Sequence, residues 1–185
     1  MKRIHFITVL LAALFFTITL AAPHRAPAAS GAEISRDAQQ ALQKLYNTSS
    51  GARAIGEKAV SVLVFPGIVK GGFIVGGLYG EGALIKNGYT VAYYNTVAAS
   101  YGLQAGLQKY GYALFFMTDG ADGYLNRSDG WELGIGPNIT VIDVGAAKNL
   151  STTTMKSDIY AFFFDQKGLM GGLGIQGTKV TKISK

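Results

Sequence analysis

The chain has no cysteine. A disulfide framework is excluded, so the fold must rest on its core. A bacterial lipoprotein anchor is excluded as well, because that anchor is acylated on a cysteine at the cleavage point. Histidine is almost absent: His5 and His24 are the only two, and both stand in an N-terminal segment read below as removed. Without them, a Ser-His-Asp triad, a Cys-His pair and a His- or Cys-ligated zinc all lack their residues. Only carboxylate, lysine or tyrosine chemistry survives. Charge is sparse too, at 15% of residues.

What the N-terminus does contain reads as an export signal. Lys2 and Arg3 form a short positive region, and no charge follows between Phe6 and Ala22, where Leu, Ile, Val, Phe and Ala dominate. Ala26-Pro27-Ala28 supplies the small-x-small pattern that signal peptidase accepts. Pro23 directly after the apolar run favours a cleaved signal over a retained anchor, and the run is short for a membrane span. The expected division is a signal peptide over 1–28 and a single domain over 29–185. The expected compartment is periplasmic or extracellular. Cleavage removes Lys2, Arg3 and Arg25 and no acid, so the formal charge falls from +6 to +3. The remaining bases stand apart along the chain, which argues for a solvated surface and against a nucleic-acid partner.

The mature part begins with helical grammar. Ser30-Gly31-Ala32-Glu33 has capping-box spacing, and Ile34, Ala38, Ala41, Leu42 and Leu45 recur on one face. This predicts a helix over Ala32–Tyr46 and a shorter one over Ala52–Ala59. From Val60 the pattern changes to strands and turns. Ser61–Phe65 is an apolar run that Pro66-Gly67 is expected to stop. Phe73–Tyr79, Tyr89–Asn95 and Tyr112–Thr118 are rich in β-branched and aromatic residues, with Asn87-Gly88 as a hairpin signal. Further strands are predicted at Glu132–Gly134, Ile139–Val144, Ile159–Phe164, Leu169–Ile175 and Lys179–Ile183, and a loop or broken helix over Asp119–Gly130. The fold class is α+β: one or two N-terminal helices, then a strongly curved, mostly antiparallel, barrel-like sheet. The cluster Gly71, Gly72, Gly76, Gly77, Gly80 and Gly82 fits bends or close backbone approach within that sheet.

Motifs that carry chemistry are few. Gly172-Leu173-Gly174-Ile175-Gln176-Gly177 matches the dinucleotide fingerprint, but only Thr178–Lys185 follows it, too short for the helix and acid the chemistry needs. Asp119, Asp122, Asn126, Asp129 and Glu132 gather oxygen donors without EF-hand spacing, as polar loops commonly do. No carboxylate pair stands out among the 11 acids. No cofactor, metal site or catalytic residue is therefore assigned. The tyrosines and phenylalanines between Tyr79 and Phe164 point to core and rim packing.

A longer pattern runs through the chain. Val64-Phe65-Pro66, Lys70-Gly71-Gly72-Phe73, Gly76-Gly77-Leu78-Tyr79-Gly80-Glu81-Gly82 and Tyr93-Tyr94-Asn95 open it. Gly102-Leu103-Gln104-Ala105-Gly106, Gly130-Trp131-Glu132-Leu133-Gly134, Lys167-Gly168-Leu169-Met170 and Gly177-Thr178-Lys179 continue it in order. The series resembles the SYLF-domain family. That resemblance implies a lipid-binding module, associated in eukaryotic relatives with phosphoinositides and in fungal members with actin, and typically exported in bacteria. Membrane binding in the family is similar to that of a basic amphipathic helix working with the domain. Here the predicted helix balances Glu33 and Asp37 against Arg36 and Lys44, whereas a helix drawn to anionic lipid wants a basic polar face.

The expectation is a non-enzymatic exported module that binds anionic phospholipid or a membrane surface. Arg53, Lys58 and Lys70, which flank the glycine-rich entry, are the candidate lipid head-group contacts. The alternative is a structural or protein-interaction domain of the cell envelope, using strand edges and tyrosine-rich surface.

Overall fold

The structure, a computed structural model, describes residues 29–72, 75–101, 106–127, 129–142, 156–168 and 177–185. The predicted signal segment and the strand expected over 169–175 lie outside the described residues.

Helix α1 spans Gly31–Thr48 and α2 spans Ser50–Gly56. The capping box forms as the spacing predicts: the Ser30 hydroxyl accepts from the Glu33 amide, and the Glu33 carboxylate accepts from the Ser30 amide at 2.8 Å. The bond from the Ser30 backbone, first, and its side chain hold the Glu33 carboxyl below its ordinary range. Ser49 ends α1 and caps α2, its hydroxyl accepting from the Ala52 amide.

The strands are β1 (Ser61–Gly72), β2 (Val75–Lys86), β3 (Tyr89–Tyr101), β4 (Gly106–Phe116), β5 (Trp131–Glu132), β6 (Ile139–Ile142), β7 (Ile159–Gly168) and β8 (Lys179–Ile183). Between β4 and β5 the broken helix appears as α3 (Asp119–Asp122) followed by a 3-10 turn over Gly123–Asn126. The eight strands among the described residues join one sheet, in the order β5-β8-β3-β2-β1-β4-β7-β6. Every pairing is antiparallel except β6 with β7. The sheet curls into a half-barrel behind the N-terminal helices, as the α+β expectation required.

Two cores lie on the two faces of this sheet. On the outer face, Ile34, Ala38, Leu42 and Leu45 of α1 and Ala52 and Ile55 of α2 cover Val62, Val64, Ala83, Ile85, Phe115 and Phe162. On the inner face, Leu63, Phe65, Ile68, Tyr112, Leu114, Phe116 and Phe163 pack with Trp131, Leu125 and Ala121. Successive side chains alternate between faces. A strand buried on both sides is therefore a continuous apolar run, which is why Val62–Phe65 and Ala113–Phe116 look unbroken in sequence.

Pro66-Gly67 does not stop β1, contrary to the expectation. The strand continues to Gly72, and its register with β2 and with β4 shifts around Pro66. A proline has no amide to donate to a ladder, and a bulge is where a central strand can accept one. β2, β3, β4 and β7 also extend past the expected run at one end, whereas β5 (Trp131–Glu132) is shorter than the expected Glu132–Gly134 and β8 has the expected bounds. Hydrophobic runs mark only the doubly covered part of each strand, whereas pairing continues into the glycine-rich half.

The glycines serve close approach. A Cβ at Gly82 would collide with the Val64 carbonyl oxygen and the Phe65 ring, just where β1 bulges. Gly77 is different, since its Cβ would meet only the Ala98 carbonyl oxygen, at 3.4 Å. Gly82→Ala should lower stability by about 1–3 kcal/mol, and Gly77→Ala should stay within about 0.5 kcal/mol of the parent. Urea midpoints of the two variants check this.

Two inner tyrosines set an alkaline limit. Burial pushes the Tyr94 phenol up to about 12, with Asp122 adding to the shift. Tyr112, bonded to Thr96 at 2.9 Å, is driven higher still by burial. In the unfolded chain tyrosine ionises near about 10. The folded state keeps these protons longer, so this contribution to stability is whole below about pH 10 and falls as pH rises toward about 12. Phenolate absorbance and circular dichroism should show tyrosine ionisation and unfolding together in that window.

Candidate functional site

The outer face is only partly covered. α1 packs over β1, β2 and β3, and beyond the helix the sheet continues toward its glycine-rich end. Between them runs a groove of about 630 Å³, walled by Ile34, Asp37, Ala41 and Lys44 of α1 and by Gly67, Val69, Tyr79, Glu81 and Lys109 of the sheet.

Register places a lateral row of side chains along the far wall. Lys179 of β8 pairs with Val97 of β3, Val97 with Tyr79 of β2, and Tyr79 with Val69 of β1. Val69 pairs in turn with Lys109 of β4, and Lys109 with Lys167 of β7. Paired residues share a face, so the six positions form one stripe, about 24 Å long at a strand spacing of ~4.8 Å. Its centre is apolar and open to solvent: Val69 is 46% exposed, Tyr79 51% and Val97 36%. Leu107, one pair further out opposite Gly71, is 67% exposed.

The charges around this stripe are unevenly matched. Glu81, next to Tyr79 on the same face, accepts the Tyr79 hydroxyl at 2.8 Å and the Lys185 ammonium at 3.0 Å. Partial desolvation, and then the bond to Glu81, push the Tyr79 phenol up. Lys44 holds Asp165, and Lys179 lies opposite Glu132. Lys109 and Lys167 lie directly opposite each other and are exposed, and among the described residues neither forms a salt bridge. Like charges in that relation are destabilising.

The structure does not gather the three basic residues singled out in the sequence. Arg53 is exposed on α2, bonded to Asn47 at 3.1 Å and stacked over the Tyr46 ring. Lys58 is exposed in the turn that follows α2. Lys70 is half-buried nine residues along β1 from Ser61, about 30 Å away at ~3.3 Å per residue. Alternation turns Lys70 to the inner face, while its neighbour Val69 belongs to the outer stripe.

The acidic loop is a structural clamp. Asp122 is buried, its Oδ1 accepting the Ser61 hydroxyl at 2.6 Å and its Oδ2 the Lys86 ammonium at 2.7 Å. This pins α3 across the end of the inner core. Ser61 is itself only 2% exposed, so no substrate reaches that hydroxyl. Among the described residues no three His, Cys, Asp or Glu side chains gather as metal ligands, and no helix is long and apolar enough to cross a membrane.

The domain is thus a curled sheet backed by helices, with an apolar stripe open to solvent on its outer face. Residues 97–185 match the family described as Ysc84, the Las17-binding protein actin regulator. Over that stretch the chain is similar to the SYLF family. The match takes in Val97, Leu107, Lys109, Lys167 and Lys179, while Val69 and Tyr79 precede it. No curated protein matches the chain.

Removing the clamp should cost more than removing one arm of it. Asp122→Ala strands Lys86 and Ser61 together and should lower stability by about 2–3 kcal/mol. Ser61→Ala should cost about 1 kcal/mol. Chemical denaturation of the two variants gives the ordering.

Proposed function

We propose that this chain is a non-enzymatic, exported module that binds the surface of anionic phospholipid membranes. The observation that carries the reading is the solvent-facing Val97-Tyr79-Val69 stripe with Leu107, beside a lysine pair that no described acid neutralises. Apolar groups of this kind gain by entering the head-group layer, and lysines beside them gain from anionic lipid. The similarity of residues 97–185 to the SYLF family supports the same reading. The buried state of Ser61 and the dispersal of the loop acids favour binding over catalysis. Cleavage after Ala28 would deliver residues 29–185 to the periplasm or the medium, where bacterial phospholipid is the anionic surface at hand.

The test is co-sedimentation of residues 29–185, which contain every described element, with vesicles. Binding to phosphatidylglycerol or cardiolipin at low salt, weakening as salt rises and absent on phosphatidylcholine, is the expected result. A protein that stays in the supernatant with all three lipids overturns the proposal. Stoichiometric recovery of one envelope protein, without vesicle binding, would instead favour the structural role.

A further inference from the structure

The structure assigns the membrane-contacting face: we infer that the domain docks through the outer stripe at its glycine-rich end, with Lys109 and Lys167 together holding one lipid phosphate. This rests on the lipid-surface reading and adds to it an orientation and a head-group site.

The orientation follows from what the rest of the outer face is doing. Its other half is already buried under α1 and α2. The bare half carries Val69, Tyr79, Val97 and Leu107 on four adjacent strands, β3 to β4. They form one contiguous patch, unlike singly scattered exposed residues, which need no explanation. Aromatic and aliphatic groups beside lysines suit the interface between head groups and acyl chains. Arg53 and Lys58, on α2 and the turn after it, belong to the covered half and would stand away from the bilayer.

The phosphate site follows from the lysine pair. Lys109 and Lys167 are cross-strand partners on the same face, so their ammonium groups compete for the same solvent and repel. The nearby acids are already engaged: Asp165 with Lys44, and Glu81 with Lys185. A single anion between the two ammonium groups removes the repulsion and gains two charge-assisted hydrogen bonds. A phosphodiester at the edge of the apolar patch has the right charge there, and its acyl chains lie toward Val69 and Leu107. The cost of the bare pair to the folded domain thus becomes affinity for the ligand.

This relation gives a test with two signs. The double substitution Lys109→Gln/Lys167→Gln should weaken binding to phosphatidylglycerol vesicles at least tenfold while leaving thermal stability unchanged or raised. A folding defect moves both readouts downward and cannot imitate that pattern. Lys109→Arg/Lys167→Arg should keep most of the binding. The absence of native cysteine permits a second measurement: Leu107→Cys and Arg53→Cys each carry one environment-sensitive fluorophore without background. On vesicles the label at 107 should shift to the blue and be quenched by lipid-borne quencher, and the label at 53 should do neither. Vesicle binding with the label at 53 quenched and that at 107 silent overturns the docking face while leaving lipid binding in place. Undiminished binding by the Gln double variant overturns the phosphate site. No vesicle binding by the parent removes both this inference and the reading beneath it.

Discussion

The bulge around Pro66 in the central strand is the constraint on which the rest of the molecule depends. β1 holds β2 on one side and β4 on the other, and its register with both shifts at the same place. A shift of one residue exchanges the faces of every side chain beyond it. The bulge makes that exchange, so that Ile68 follows Phe65 in the inner core and Val69 comes out on the helix-side face. Gly82 and Gly80 answer it from β2, since side chains at either would strike the bulged segment. The curl of the sheet and the exposure of the stripe are two results of this one irregularity.

Much of the architecture was legible because it depends on local signals. The Ser30–Glu33 capping box set the start of α1, and the apolar spacing from Ile34 to Leu45 set its buried face. Lys179–Ile183 was read with its observed bounds. What could not be read was where strands end. β1 to β4 continue well past their hydrophobic runs, because the pairing partners at the glycine-rich end are other glycine-rich segments. Backbone hydrogen bonds hold that half, and they leave little trace in side-chain composition. Pro66 misled for the opposite reason, being a strong local stop signal overruled by a bulge that only the neighbouring strands reveal.

The candidate surface was much less legible than the fold. Lys70 adjoins the glycine cluster, yet its neighbour Val69 is the one on the outer stripe. Which of two adjacent strand residues faces outward depends on whether a bulge intervenes, and the sequence does not mark that. The stripe itself draws residues from six strands, with Val69 and Lys179 110 positions apart in the chain. Its coherence exists only in the register. Lys109 follows from Phe115 and Ala113 by simple alternation, but Lys167 reaches the outer face only past the register shift between β4 and β7, so their opposition required the pairing itself.

The proposed export and the fold bear on each other through charge. Under the proposed cleavage the chain would carry a formal charge of +3, because residues 1–28 hold Lys2, Arg3 and Arg25 and no acid. So small an excess gives weak long-range attraction to an anionic surface, and α1 does not supply the missing positive face. Any preference for anionic lipid must then come from where the charges stand rather than how many there are. Most described acids near the stripe are matched by a lysine: Glu81 by Lys185, Asp165 by Lys44, and Glu132 faces Lys179. Lys109 and Lys167 are the local surplus, set against each other beside the only large apolar side chains that the outer sheet leaves to solvent among its central described strands. Real proteins break their own packing and pairing rules chiefly where function demands it. Two such breaks, an uncovered apolar stripe and an unrelieved like-charge pair, meet at one edge of this sheet, and a lipid head group with its acyl chains is a single ligand that resolves both.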